Sequence, residues 1–151
     1  MKYNRYFNRV IEEFIRDLSA FGNALILIFV LILFLEGKQL IISIIGIIIV
    51  SLTVNIIKLF FYKERPVHIE HSNILEKMNS GSFPSLHSAQ IMYLGSIAIN
   101  TINSIFIDTL FVLLIIGVGY SRYHLKKHYI KDIMGGYAIG FLVFLLILYL
   151  T

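Results

Sequence analysis

The chain has 151 residues, of which 58% are apolar, and its mean hydropathy is +0.81. A soluble domain is closer to half apolar, and here the excess falls in long runs of Ile, Leu, Val and Phe, which predicts a single membrane-embedded domain over residues 1–151. The net charge of +4 in so apolar a chain favours lipid headgroups or phosphate as partners and not nucleic acid. The absence of cysteine excludes disulfides, thiolate metal sites and cysteine nucleophiles.

Residues 1–18 carry apolar side chains at spacings of three and four, with charged side chains between them. This pattern predicts an amphipathic helix that lies at the membrane interface. It favours anchoring, or capping of a helical bundle, over any catalytic role.

Five apolar blocks follow, and each is interpreted as a transmembrane helix. They cover about residues 19–35, 40–61, 85–99, 105–120 and 133–150. Several are shorter than the roughly 20 residues of a full span but close to the lower limit of about 17. The predicted fold is therefore all-α, an integral membrane bundle of about five transmembrane helices with an N-terminal amphipathic helix.

One connection is long, the polar segment over residues 62–84, and the turns near residues 37 and 102 are short. Because each span crosses the membrane once, the end of the second span, the start of the third and the link between the fourth and fifth must share one membrane face. His68 and His71 lie in the long segment, but two ligands fall short of the three or four that a metal site needs. We therefore interpret them as solvent-facing and predict no metal.

The first polar segment places Lys58 and Arg65 seven positions apart, just before Pro66. Seven positions are two helical turns, so both cations share a face if the helix continues to the proline. Two cations directed at one point suit a multiply charged anion, and Arg adds bidentate geometry for phosphate oxygens. The alternative is that both side chains only extend to the membrane surface, as is common at helix ends.

The second segment opens the third span with Ser85 and His87. Ser85 is a natural N-cap, and a helix N-terminus attracts anions through its N–H groups. His87 in that first turn could donate a proton to a leaving oxygen. The alternative is a capping serine beside an interfacial histidine.

The third segment contains Arg122, His128 and Asp132. His128 and Asp132 are four positions apart, within reach on one helix face, and a carboxylate on one ring nitrogen leaves the other nitrogen able to attack. Arg122 adds a further cation. The alternative is a structural hydrogen bond at the entrance of the last helix.

In order, the three segments are Lys-x6-Arg-Pro, Pro-Ser-x-His and Ser-Arg-x5-His-x3-Asp. Together they resemble the type 2 phosphatidic acid phosphatase superfamily, over about residues 58–132. The resemblance implies a metal-independent hydrolase, without cofactor, that dephosphorylates lipid phosphate monoesters or diphosphates through a phosphohistidine intermediate. Two departures are Leu86, where the family often has glycine, and about five spans where many relatives have six.

The resemblance also implies residue roles. His128 is the expected nucleophile, Asp132 orients it, and His87 is the general acid. The implied phosphate-binding residues are Lys58, Arg65, Ser85 and Arg122.

A non-catalytic phosphate-binding or lipid-transport protein would carry the same cations, although it would not need the two histidines and the aspartate.

The substrate lipid is not indicated: phosphatidylglycerol phosphate, a polyprenyl pyrophosphate, phosphatidic acid and the phosphate of lipid A all fit. Of the 13 Lys and Arg, only Lys38 lies opposite the motifs, which favours a cytoplasmic site, whereas the family in bacteria favours an outward site in the cell membrane.

Overall fold

The computed structural model describes residues 2–67, 73, 76 and 80–150. In this part of the chain there are six helices and no strands, which confirms the predicted all-α bundle. The helices are α1 (Lys2–Ala20), α2 (Ala24–Phe34), α3 (Gly37–Phe60), α4 (Leu86–Ile102), α5 (Ile105–His124) and α6 (Ile130–Leu150).

Three of these helices are long and apolar enough to cross a membrane: α3 with 24 residues, α5 with 20 and α6 with 21. They make the chain an integral membrane protein. The other two predicted spans are shorter, since α4 has 17 residues and α2 has 11. At 1.5 Å per residue, α2 is only about 16 Å long, roughly half the thickness of the hydrocarbon core.

The first predicted span is short because the chain turns between α1 and α2. The amphipathic helix continues to Ala20, and the Asn23 backbone N–H donates to the Ala20 carbonyl at 2.8 Å to close a turn. The side chain of Asn23 then accepts a hydrogen bond from the Leu25 backbone N–H at 2.9 Å. Asn23 thus caps a new helix and divides the apolar block.

Helix α4 lies at the centre of the bundle, and its most extensive contact is with α6. Glycines on α6 permit this contact: a Cβ added at Gly136 would overlap the carbonyl oxygen of Ser85, and one added at Gly140 would overlap that of Ala89. The backbones of the two helices therefore touch, and the first turns that carry the second and third motifs lie side by side.

Helix α1 packs mainly against α5. Its buried side includes Ile15 and Ser19, whereas Val10, Ile11 and Phe14 are exposed. An exposed apolar stripe on this helix is compatible with the interfacial location that the sequence predicts.

Candidate active site

The first motif does not stay helical to its proline. Helix α3 ends at Phe60, and Phe61 caps it by donating its N–H to the Ile57 carbonyl at 2.8 Å. The prediction that Lys58 and Arg65 share one helix face is therefore wrong. The positive charges of both side chains nevertheless act on the imidazole of His128 and lower its pKa.

The N-terminus of α4 is built as the sequence predicts. Ser85 is fully buried and caps the helix, and its Oγ accepts from the N–H of Ser88 at 3.4 Å and from the Ser88 hydroxyl at 2.9 Å. The backbone N–H of Ser85 donates to the carbonyl of Asp132 at 2.9 Å. This bond joins the second and third motifs directly, as the parity of the spans requires.

His128 lies in the connection before α6, and its side chain is 2% exposed. Its Nδ1 is 2.7 Å from the backbone carbonyl oxygen of Ser82. Because a carbonyl can only accept, Nδ1 carries the proton and donates it, which leaves Nε2 with its lone pair. Nε2 is the atom available for nucleophilic attack.

The predicted direct pairing of Asp132 with His128 is wrong. Both residues lie within the described chain, and no hydrogen bond joins them. Oδ1 of Asp132 accepts from Lys63 Nζ at 2.6 Å, and Oδ2 accepts from Ser82 Oγ at 2.5 Å and from the Tyr129 N–H at 2.9 Å. Ser82 links the two residues: its hydroxyl donates a hydrogen bond to the Asp132 carboxylate, and its backbone carbonyl accepts one from the His128 imidazole.

The electrostatic surroundings keep the His128 imidazole neutral. Burial, reinforced by the positive charges of Arg122, Arg65 and Lys58, lowers the pKa of His128 far below its ordinary value of about 6.5. The hydrogen bond to Ser82 opposes this shift without cancelling it. At neutral pH the ring is therefore uncharged, which is the form that a nucleophile requires.

The positive charges of three side chains act on this ring, and two of these side chains are deeply buried. Lys58 is 6% exposed and Arg122 is 5% exposed. Nη1 of Arg122 donates to Ser19 Oγ at 2.8 Å, and its buried Nε has no hydrogen-bond partner among the described residues. Buried cations with unused donors form a site that an anion of high charge would complete.

Three residues at the site lie outside the positions assigned from the sequence motifs: Lys63, Ser82 and Ser19. A signal existed for Lys63, because a carboxylate at a membrane helix entrance needs a counter-ion. Its Nζ also lies 4.6 Å from the centroid of the Tyr129 ring. Ser82 and Ser19 act through bonds to residues 50 and 103 positions away, and no local pattern reveals those.

No group of three or more His, Cys, Asp or Glu within the described ranges is placed to hold a metal ion. His68 and His71, which are predicted from the sequence to face solvent, lie outside those ranges. The candidate site consists of the neutral imidazole of His128, a second histidine (His87) on α4, and the three cations Lys58, Arg65 and Arg122.

Comparison with known proteins gives one family and two similar crystal structures. The family that matches the chain is the PAP2 superfamily, over residues 39–151. LpxE from Aquifex aeolicus has a TM-score of 0.76 at 22% identity, covering 93% of this chain and 86% of that one. A PAP2-type phosphatidylglycerolphosphate phosphatase from Bacillus subtilis has a TM-score of 0.73 at 19% identity, covering 93% and 76%. No protein of curated function matches the sequence.

Proposed function

Because the chain belongs to the PAP2 superfamily, we propose that it is a membrane phosphatase that dephosphorylates a lipid phosphate or diphosphate without a metal or other cofactor. The observation that carries this proposal is the state of His128: neutral, with Nδ1 bonded at 2.7 Å to the Ser82 carbonyl and Nε2 unprotonated, beside three cations. A protein that only binds phosphate has no need for a desolvated, oriented imidazole.

The proposed reaction has two steps. Nε2 of His128 attacks phosphorus and the bond to the lipid oxygen breaks. His87, which takes up a proton when the anionic phosphate occupies the site, donates that proton to the lipid oxygen. His87 then accepts a proton from water as the water oxygen attacks phosphorus, and the bond to Nε2 breaks to release orthophosphate. Lys58, Arg65 and Arg122 stabilise the charge on the phosphoryl oxygens in both transition states.

A lipid substrate is supported by where the site lies. The motifs meet at the ends of helices whose outward faces carry many exposed Ile, Leu and Phe side chains. These apolar faces would accommodate the chains of a lipid whose phosphate headgroup is bound at the site. The activity named for the Bacillus subtilis protein, on a phospholipid phosphate, supports the same class.

The decisive experiment measures orthophosphate release from a panel of lipid phosphates and diphosphates in detergent with EDTA. Wild type is expected to be active and sensitive to vanadate, and His128→Asn is expected to be inactive. Lys38→Ala, which changes an exposed cation at the opposite end of α3, is the control and should keep full activity. Inactivity of wild type on every lipid, or activity of His128→Asn, would favour the non-catalytic phosphate-binding or transport protein.

We further propose that the site faces outward from the cell membrane. The chain has no cysteine, so single cysteines can be placed at will. One cysteine replaces Asn73, an exposed residue of the long segment over residues 62–84. The other replaces Lys38, an exposed residue expected on the opposite face of the membrane. A membrane-impermeant thiol reagent on intact cells should label only Asn73→Cys. Labelling of Lys38→Cys alone would instead place the site in the cytoplasm, as the distribution of Lys and Arg favours.

A further inference from the structure

Helix α1 and the turn after it reach the site at two points, although they lie outside the family match, which begins at residue 39. At the first point, the hydroxyl of Ser19 accepts a hydrogen bond from Nη1 of Arg122 at 2.8 Å. At the second, a Cβ added at Gly22 would lie 2.6 Å from the Cβ of His87. The C-terminal end of α1 thus touches a proposed phosphate-binding cation, and the turn after it touches the proposed general acid.

The contact with Ser19 is the only side-chain hydrogen bond that Arg122 makes within the described part of the chain. A guanidinium has five N–H donors in one plane, so a single fixed acceptor on one edge sets the direction of the others. Ser19 is 5% exposed, so water does not readily replace it. The buried Nε of Arg122 has no partner among the described residues, so this donor remains available to a phosphate oxygen.

The packing of α1 holds Ser19 at the level of Arg122. Leu18 lies against Gly117 of α5, where an added Cβ would come within 2.9 Å of Leu18 Cδ2. Ile15 is buried one turn earlier on α1. These contacts prevent α1 from sliding along α5, and the hydroxyl of Ser19 therefore has a fixed position relative to the guanidinium.

From this geometry we propose that Ser19 is a positioning residue for phosphoryl transfer: it fixes the guanidinium of Arg122, so that the N-terminal helix completes the phosphate site. The inference rests on the proposed phosphatase function and deepens it. It assigns to α1 a part in catalysis that its amphipathic pattern does not reveal.

The test compares Ser19→Ala, Arg122→Ala and the double variant by kcat/KM and by the inhibition constant for vanadate. Loss of a hydrogen bond to a charged group corresponds to about a tenfold change. Ser19→Ala should therefore lower kcat/KM and weaken vanadate inhibition by about tenfold each. In the Arg122→Ala background the same change should have no further effect, because the partner is already absent.

Ser43→Ala is the matched control, since Ser43 is also a buried helical serine but lies near the start of α3, at the other end of the bundle. It should leave both constants unchanged. If Ser19→Ala does not fold, Ser19→Cys has nearly the same volume and a weak acceptor, and the same tenfold losses are expected. Wild-type values in either variant, or equal losses with and without Arg122, would overturn the inference.

The two proposals fail in different ways. Inactive wild type on every lipid phosphate refutes the phosphatase itself. Active wild type with an impaired Arg122→Ala variant, but with Ser19→Ala indistinguishable from wild type, refutes only the role of Ser19.

Discussion

Replacement of Lys63 by methionine tests whether the Asp132 carboxylate depends on its ion pair. Lys63 Nζ and Asp132 Oδ1 are 2.6 Å apart, and the side chains are 42% and 0% exposed. Methionine keeps the apolar stem against Tyr129 but leaves a buried carboxylate without a counter-charge. The Ser82 hydroxyl and the Tyr129 N–H still bond to Oδ2, so the loss is not complete.

The expected magnitude lies between two limits. Removal of one partner from a fully buried pair costs about 3–5 kcal/mol, whereas an exposed pair contributes about 0–1 kcal/mol. Because Lys63 is nearly half exposed and therefore screened by solvent, we expect Lys63→Met to lower the free energy of unfolding by about 2 kcal/mol. For a domain of this size that is a fall of about 4–8 °C in the unfolding midpoint.

The assay is thermal unfolding in detergent, with Lys63→Arg and Lys131→Met as comparison variants. Lys63→Arg keeps the charge and should restore most of the midpoint. Lys131 is exposed on the first turn of α6, and its replacement should change the midpoint by less than about 1 °C. A midpoint for Lys63→Met within about 1 °C of wild type, or an equal fall for Lys131→Met, would refute the reasoning.

Three further predictions concern other contacts of the site. Ser82→Ala keeps the carbonyl that holds His128 but removes the hydroxyl on Asp132, so kcat should fall by about tenfold with the protein still folded. Gly140→Ala should lower the free energy of unfolding by about 2 kcal/mol in a thermal assay, because the added Cβ meets the backbone of α4. His128→Asn should reduce the sensitivity of stability to acid. Burial and neighbouring cations lower the pKa of His128, so below about pH 6.5 only the unfolded chain binds this proton. In that range the free energy of unfolding of wild type should fall, relative to the variant, by up to about 1.4 kcal/mol per pH unit.

Each of these predictions has a control and a contradicting result. Ser43→Ala should keep the kcat of wild type. An unchanged kcat for Ser82→Ala would contradict the proposal that Ser82 couples Asp132 to His128. Ala138→Val adds bulk to the exposed side of α6 and should be tolerated; equal effects of Ala138→Val and Gly140→Ala would argue against the close contact. Parallel pH profiles of unfolding for wild type and His128→Asn would mean that His128 titrates normally in the folded protein.

The sequence was sufficient to predict that three distant polar segments meet, because that follows from counting membrane crossings. The bonds from Ser85 to Asp132 and from Lys63 to Asp132 join residues of all three segments and confirm the meeting. The N-cap at Ser85 was also predictable, since capping depends on a residue and its next few neighbours.

Two predictions about side-chain spacing failed because each assumed a helix over residues that are not helical in the structure. The four-residue spacing of His128 and Asp132 brings side chains together only on a helix, and α6 begins at Ile130, after His128. The seven-residue spacing of Lys58 and Arg65 fails for the same reason, because α3 ends at Phe60. Helix ends near a site depend on tertiary bonds, such as that from the Ser82 N–H to the Lys63 carbonyl at 2.7 Å, which no local pattern specifies.

The glycine contact between α4 and α6 also determines which parts of the site can move during turnover. With the carbonyls of Ser85 and Ala89 against Gly136 and Gly140, these helices have no space between them for an acyl chain. Substrate access and product release must therefore occur on the sides formed by other elements, including α1 and the segment that follows α3. His87 lies on α4 and His128 lies just before α6, so this contact also limits how far the two histidines can move apart.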